Sequence, residues 1–186
     1  MTINSISVEE LNSLLNQNNF SDKTVIEPNE TSKYLKLIKS GLKVDIIKPD
    51  NLGCEIYNDM SLQGSTSITR LIEFNHNTTS IISLIEELLK IFDFVEIAEY
   101  WENTYTLKIN KKDDISIGLL FGLFDQLKDK FNVGEYSITQ TSIEQIFNNF
   151  ANQDDFNSQT NEEKLGNKKH KPPIIVNQDS IRNIIS

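Results

Sequence analysis

The residues of this chain whose types suit chemistry are two histidines, one cysteine and two pairs of adjacent carboxylates. His76 and His170 stand far apart, and neither has a second ligand at metal spacing. A structural zinc needs four nitrogen or sulfur donors, so no metal site is read. Cys54 has no neighbouring histidine and no recognisable helix N-terminus to favour its thiolate. It reads as a buried or idle thiol, not a nucleophile. Glu86-Glu87 fall within an expected helix and Asp113-Asp114 in a polar loop. A general acid–base pair needs burial that neither position suggests, so a solvated face and a helix cap account for them. The seven glycines are scattered, and no Gly-x-x-x-x-Gly-Lys-Ser/Thr loop occurs, so ATP phosphates have no cradle of backbone amides. Phe94, Tyr100, Trp101 and Tyr105 could stack RNA bases on a sheet face, but no Lys/Arg-Gly-Phe/Tyr-Gly strand accompanies them. No catalytic, cofactor or metal residue is assigned, and the chain is not expected to be an enzyme.

The totals narrow the partners. The 186 residues include 27 acids against 18 bases, a net charge of −9. Nucleic acid demands clustered Lys and Arg, so it is excluded as a partner. Docking on anionic lipid is disfavoured for the same reason. The longest apolar run, Ile117 to Phe124, is far short of the roughly 20 residues that span a bilayer, so no membrane insertion is expected. The start of the chain has no basic segment leading into an apolar one, so no secretory signal is read and a cytoplasmic location is expected. With one cysteine, no intramolecular disulfide can form.

The elements that would position a site can be read from periodicity and caps. Ser7 and Glu10 have capping-box spacing ahead of Leu11, Leu14 and Leu15, which predicts a helix near Val8–Gln17. A second helix is expected over Ser32–Ser40 with Gly41 as its stop, then a strand through Val44, Ile46 and Ile47 ended by Pro49-Asp50. Ser67–Phe74 reads as a strand closed by an Asn75-His76-Asn77 loop. Ser80–Phe92 reads as a helix with Ile81, Ile85, Leu88 and Phe92 on one stripe. Strands over Phe94–Tyr100 and Thr104–Ile109 flank a tight Glu102-Asn103 turn. A helix capped by Asp114 carries Leu120, Phe124, Leu127 and Phe131 and stops at Gly134. Tyr136–Gln140 alternates as a last strand, and Thr141 with Glu144 caps a closing helix bearing Ile143, Ile146, Phe147 and Phe150.

Strand, helix, strand, strand, helix, strand is the order of the ferredoxin-like fold. The expectation is therefore an α+β chain with a βαββαβ core. A four-stranded antiparallel sheet would carry two helices on one face, plus a C-terminal helix. Three regions follow: an N-terminal extension with short helices over 1–64, the ferredoxin-like domain over 65–152, and a polar tail over 153–186, disordered by composition. Within that tail, Lys171 to Val176 could bind as an extended peptide, but Pro172-Pro173 is too short for a proline-rich ligand, and a loose tail is the preferred reading.

The segment Tyr136–Ala151 resembles the end of the C-terminal regulatory domain of A-subfamily ABC transporters, which closes on a Tyr-Ser-(Val/Ile)-x-Gln-(Thr/Ser)-(Thr/Ser)-Leu-Glu-Gln-Val-Phe-x-Asn-Phe-like motif. Tyr136, Ser137, Gln140, Thr141, Glu144, Gln145, Phe147, Asn149 and Phe150 match it, while Ile143 and Ile146 replace Leu and Val. The resemblance extends by element order over roughly 65–152. It implies a non-enzymatic regulatory or protein-interaction module, linked to lipid transport, without the nucleotide-binding and membrane domains. Its implied partner is an ABC nucleotide-binding domain at the cytosolic face of a membrane, met through Tyr136, Gln140, Glu144, Phe147 and Phe150. Two other readings stay open: a small-molecule-sensing ferredoxin-like domain, and a nonfunctional transporter fragment.

Overall fold

The computed structural model describes residues 1–110, 115–140, 173–176 and 181. Contacts divide the chain into two units, Met1–Tyr136 with Lys171–Ser186, and Ser137–His170. Residues on both sides of the boundary expected at 64 belong to the first unit. In the second, Ser137–Gln140 is described and lies outside any helix or strand. The described residues are α+β, with five α-helices and two small antiparallel sheets.

The N-terminal third packs as a helical layer. Helix α1 (Val8–Gln17) begins where expected, with the Ser7 hydroxyl accepting from the Glu10 amide at 3.1 Å. Strand β1 (Val25–Ile26) follows, then α2 (Thr31–Leu37). The left-handed residue that ends α2 is Lys39, with φ of 53°, and not the expected Gly41. The strand expected at Val44–Ile47 is instead a 3-10 turn over Val44–Ile46, which buries Ile46. Helix α3 (Cys54–Gln63) was not legible in the sequence, because it buries only Cys54 and Ile56 and so has no long stripe. A Cβ on Gly53, just before it, would lie 2.8 Å from both the Ile46 carbonyl oxygen and the Ile47 Cα, so the backbone can pass there only without a side chain.

The largest correction lies between residues 66 and 92. Strand β2 is only Thr66–Ser67, paired antiparallel with β1. A single 21-residue helix, α4 (Ile68–Leu88), then replaces the expected strand, loop and helix. Ser67 caps it, accepting from the Arg70 amide at 3.2 Å. Ile68, Leu71 and Ile72 are spaced i, i+3, i+4, and all are buried, as are Thr78, Ile81, Ile82, Ile85 and Leu88 further along the same helix. The spacing is helical from its first residue, and the asparagines of the expected loop sit within the helix. The first half of α4 packs against Ile6, Leu15, Ile26, Leu35, Ile38 and Ile56, so residues 1–64 share its core.

Strands β3 (Val95–Trp101) and β4 (Thr104–Ile109) form the expected hairpin, with Trp101 opposite Thr104. Glu102 in the turn takes a left-handed φ of 51°. The register shifts between Ile97 and Glu99, a bulge at Ala98. It lets Val95, Ile97 and Tyr100 all point inward, where strict alternation would have turned Tyr100 to solvent. Helix α5 (Ile117–Lys130) buries Leu120, Phe124 and Leu127 as predicted, while Phe131, the fourth residue of the expected stripe, falls just past the helix and is half-buried. Its cap is Ser116, accepting from the Leu119 amide at 3.2 Å; the expected cap Asp114 lies outside the described residues.

The last strand is displaced. Tyr136–Gln140 forms none, and the preceding residues pair with the start of the chain. The Thr2 amide donates to the Glu135 carbonyl at 2.8 Å, the Gly134 amide to the Thr2 carbonyl at 2.9 Å, and the Asn4 amide to the Asn132 carbonyl at 2.8 Å. On its other side the same segment bonds β4. The Tyr105 amide donates to the Met1 carbonyl, and the Ile3 amide to the Asn103 carbonyl, both at 2.8 Å. Both bridges, Thr2 with Thr104 and Ile3 with Val133, are antiparallel. Helix α5 has Phe131 as its C-cap, and the left-handed residue after it is Asn132, with φ of 56°, not the expected Gly134. The four-stranded sheet of the expected order is not what the described residues display as named strands. The expected helix over 142–152 lies outside them. In the expected loose tail, Ile174–Val176 is instead a strand, β5, paired antiparallel with β3 to give the order β4-β3-β5. No helix among the described residues is long and apolar enough to cross a membrane.

Candidate functional site

Of the residues the sequence singled out for binding, Tyr136 is the one held in a defined setting. Its ring stacks on Phe124 of α5 at a centroid distance of 5.5 Å and an interplanar angle of 28°, and tilts against Phe121 at 6.1 Å. Its hydroxyl donates to Asp125 Oδ1 at 2.5 Å, with the Phe121 carbonyl at 3.3 Å. The bond to the Asp125 carboxylate is the main reason its phenol titrates above the ordinary tyrosine value. Loss of water around the ring adds to it. Gln140 is exposed, and Glu144, Phe147 and Phe150 lie outside the described residues.

Helix α5 has an unusual balance. Its inner stripe is buried, yet Ile117, Leu119 and Phe121 at its start are 48%, 64% and 41% exposed. Gly118 and Gly122 lie in the same stretch, and nothing lies within 4 Å of where a Gly122 Cβ would be. The sequence predicts the inner stripe correctly. The exposed set is part of the same Ile117–Phe124 run, which was noted only as too short to span a membrane. Ile117 and Phe121, four residues apart, share one side of the helix start, while Leu119 projects from the opposite side.

A second concavity lies where α3, α4 and the β3–β4 turn meet, a cleft of about 240 Å³ lined by Glu55, Arg70, Glu73, Asn77, Glu102 and Tyr105 among others. Arg70 is already engaged, its Nε 2.5 Å from Asp59 Oδ2 and its Nη2 3.7 Å from Glu55 Oε2. Glu55 also accepts from the Glu102 amide at 3.0 Å, which ties the hairpin turn to α3. Asn77 Oδ1 is buried without a hydrogen-bond partner. Beneath the cleft the Tyr100 hydroxyl donates to the Asn51 carbonyl at 2.6 Å. Burial, then the neighbouring Cys54, Asp50 and Glu55, push its phenol far above the ordinary tyrosine value.

The chemistry-bearing residues of the sequence are not brought together. Cys54 is the first residue of α3, contrary to the reading that it lacked a helix N-terminus, and it is buried beside the Tyr100 hydroxyl. His76 lies within α4 and not in a loop, with Nε2 3.0 Å from Asn132 Nδ2. Glu87 binds Lys130 at 2.6 Å and Lys90 at 2.9 Å, a surface ion-pair arrangement. Among the described residues no cluster of three or more His, Cys, Asp or Glu side chains is placed to hold a metal ion.

No family model matches the chain, and no curated protein and no solved structure is significantly similar to it.

Proposed function

We propose that this chain is a non-enzymatic, regulatory protein-interaction module similar to the C-terminal regulatory domain of A-subfamily ABC transporters. It acts by docking the start of α5 on a nucleotide-binding domain at the cytosolic face of a membrane. The observation that carries this reading is the exposed apolar pair Ile117 and Phe121 on one side of the helix start, with Tyr136, at the head of the motif, against Phe121. An apolar helix start beside a fixed aromatic is the kind of surface whose burial drives association.

The finer fold reading belongs to the same proposal. Counting residues 1–4 as the first strand and 132–135 as the last, the backbone pairing runs 132–135, 1–4, β4, β3. In chain order that is strand four, one, three, two, with every neighbour antiparallel, the arrangement of a ferredoxin-like layer. Residues 5–67 would then be inserted between the first strand and the helix α4. The pairing of Thr2 and Ile3 on both sides supports this, and it moves the first strand away from where the sequence suggested it.

The test mixes the purified chain with a nucleotide-binding domain of that subfamily and reads co-purification and ATPase rate. Ile117→Asp and Phe121→Asp are expected to abolish capture and any rate change, while Leu62→Asp on the exposed end of α3 leaves both intact. No capture by the wild-type chain, or equal loss with Leu62→Asp, would sink the proposal. The cleft at Arg70 favours a second reading, a small-molecule sensor. That reading expects a metabolite to raise the thermal midpoint by mass action, and a screen without any shift removes it.

A further inference from the structure

We infer that the cleft between α3, α4 and the β3–β4 turn is a binding site for a small aliphatic ammonium ion. The inference rests on the small-molecule reading of that cleft and gives it a ligand class. It is independent of docking through α5.

Size and lining narrow the ligand. At about 240 Å³ the cleft is smaller than the roughly 300–1,000 Å³ sites that take drug-sized molecules, so its ligand has few heavy atoms. Leu52 and Ile56, both buried, give the lining an apolar part against which a hydrocarbon chain can pack. The charged part is acidic. Glu55 comes from α3, Glu73 from α4 and Glu102 from the hairpin turn, against one guanidinium, Arg70. Arg70 is held by Asp59 and Glu55, so its charge is already compensated. An anion placed here would meet three carboxylates, whereas a cation is attracted by them. Among the described residues no group of three or more His, Cys, Asp or Glu is placed to hold a metal ion, which points to an organic cation.

Acidic side chains line many clefts, and what distinguishes this one is the Tyr105 hydroxyl. Tyr105 is 3% exposed and lines the cleft. Its backbone amide donates to the Met1 carbonyl, and its own carbonyl accepts from the Met1 amine. Among the described residues its hydroxyl has no hydrogen-bond partner. The charge that acts on the phenol is Glu55 of the cleft wall, which sets the phenol oxygen toward that wall. Burial, and then this carboxylate, hold the phenol well above the ordinary tyrosine value, so it remains a neutral hydroxyl. Asn77 Oδ1, on a second residue of the lining, is also buried without a partner. Buried polar atoms left unpaired are costly, and both of these oxygens can accept. So can the carboxylates. The complementary ligand is therefore an N–H donor with positive charge, and an alkylammonium presents three such donors.

The experiment is calorimetric titration of the full chain at neutral pH and fixed salt with putrescine, butanediol and succinate, which share one carbon skeleton. Putrescine is expected to bind at a single site and to raise the thermal midpoint, and the other two to do neither. Tyr105→Phe removes only the hydroxyl and should weaken putrescine about tenfold, the low end for a hydrogen bond to a charged group. Glu73→Gln changes an exposed side chain that the fold does not need, and should weaken it about threefold, as for a partly exposed ion pair. Glu9→Gln removes the same charge on α1, outside the cleft lining, and should leave affinity unchanged. Absence of putrescine binding overturns the inference. Equal weakening by Glu9→Gln does so too, since it marks diffuse attraction to an acidic chain. Binding of butanediol or succinate in place of putrescine overturns the ammonium class and leaves the small-molecule reading standing.

Discussion

Replacing Ile3 with alanine asks whether the first residues of the chain are a structural strand or an incidental lead-in. Ile3 is 0% exposed, with backbone bonds to Asn103 on one side and the Val133 bridge on the other. Alanine keeps the backbone bonds, so the change isolates side-chain packing. Three buried carbons lost at about 0.8 kcal/mol each give a transfer loss of about 2.4 kcal/mol. The cavity left behind brings the expected destabilisation to about 3 kcal/mol, within the range seen for buried Ile to Ala changes. Against a total stability on the order of 5–15 kcal/mol, that is a large fraction. For a chain of this size it corresponds to a fall in Tm of roughly 6–12 °C. The assay is urea unfolding followed by circular dichroism, comparing midpoints at unchanged slope. Leu62→Ala serves as control, since Leu62 is 86% exposed and its change should stay within about 0.5 kcal/mol. If Ile3→Ala matches the control, residues 1–4 do not belong to the layer and the fold reading built on them fails.

Gly53→Ala should destabilise by about 1–3 kcal/mol, since its new methyl meets the backbone at Ile46 and Ile47 and neither can move aside easily; chemical denaturation measures it. Glu87 is held below its usual carboxylate range, first by the hydrogen bond from Lys130 and then by Lys90. A depressed acid adds stability above its unfolded value and loses it as pH falls through the folded one. Glu87→Gln should therefore lower Tm slightly at neutral pH and make no difference in strong acid, and a gap that persists in acid contradicts the ion-pair account. Burial raises the phenols of Tyr100 and Tyr105, most strongly by desolvation. Their stabilising effect is complete below the ordinary tyrosine value and is lost as pH climbs toward the raised one, so alkaline unfolding should coincide with the late part of the phenolate absorbance. Tyr100→Phe should shift that unfolding to higher pH while leaving the Asn51 carbonyl with the Cys54 amide as its remaining donor.

What the sequence determined by itself was local. The Ser7 cap and its helix, the turn at Glu102-Asn103 with its two flanking strands, and the buried stripe of α5 all rest on residues a few positions apart. For these, spacing alone sets which side chains share a face. Ser67–Phe74 failed because Ile68, Leu71 and Ile72 suit a helix stripe better than an alternating strand, and the asparagines after them look like a loop only when tertiary packing is ignored. Only the tertiary structure decided that Thr2 and Ile3 lie between β4 and residues 132–135, that the Gly134 amide bonds to Thr2, that the start of α5 stays exposed, and that Ile174–Val176 pairs with β3. Each of these joins residues distant along the chain, and backbone hydrogen bonds between such residues depend on where the intervening elements pack. Side-chain periodicity, which reports one element at a time, holds no record of that pairing.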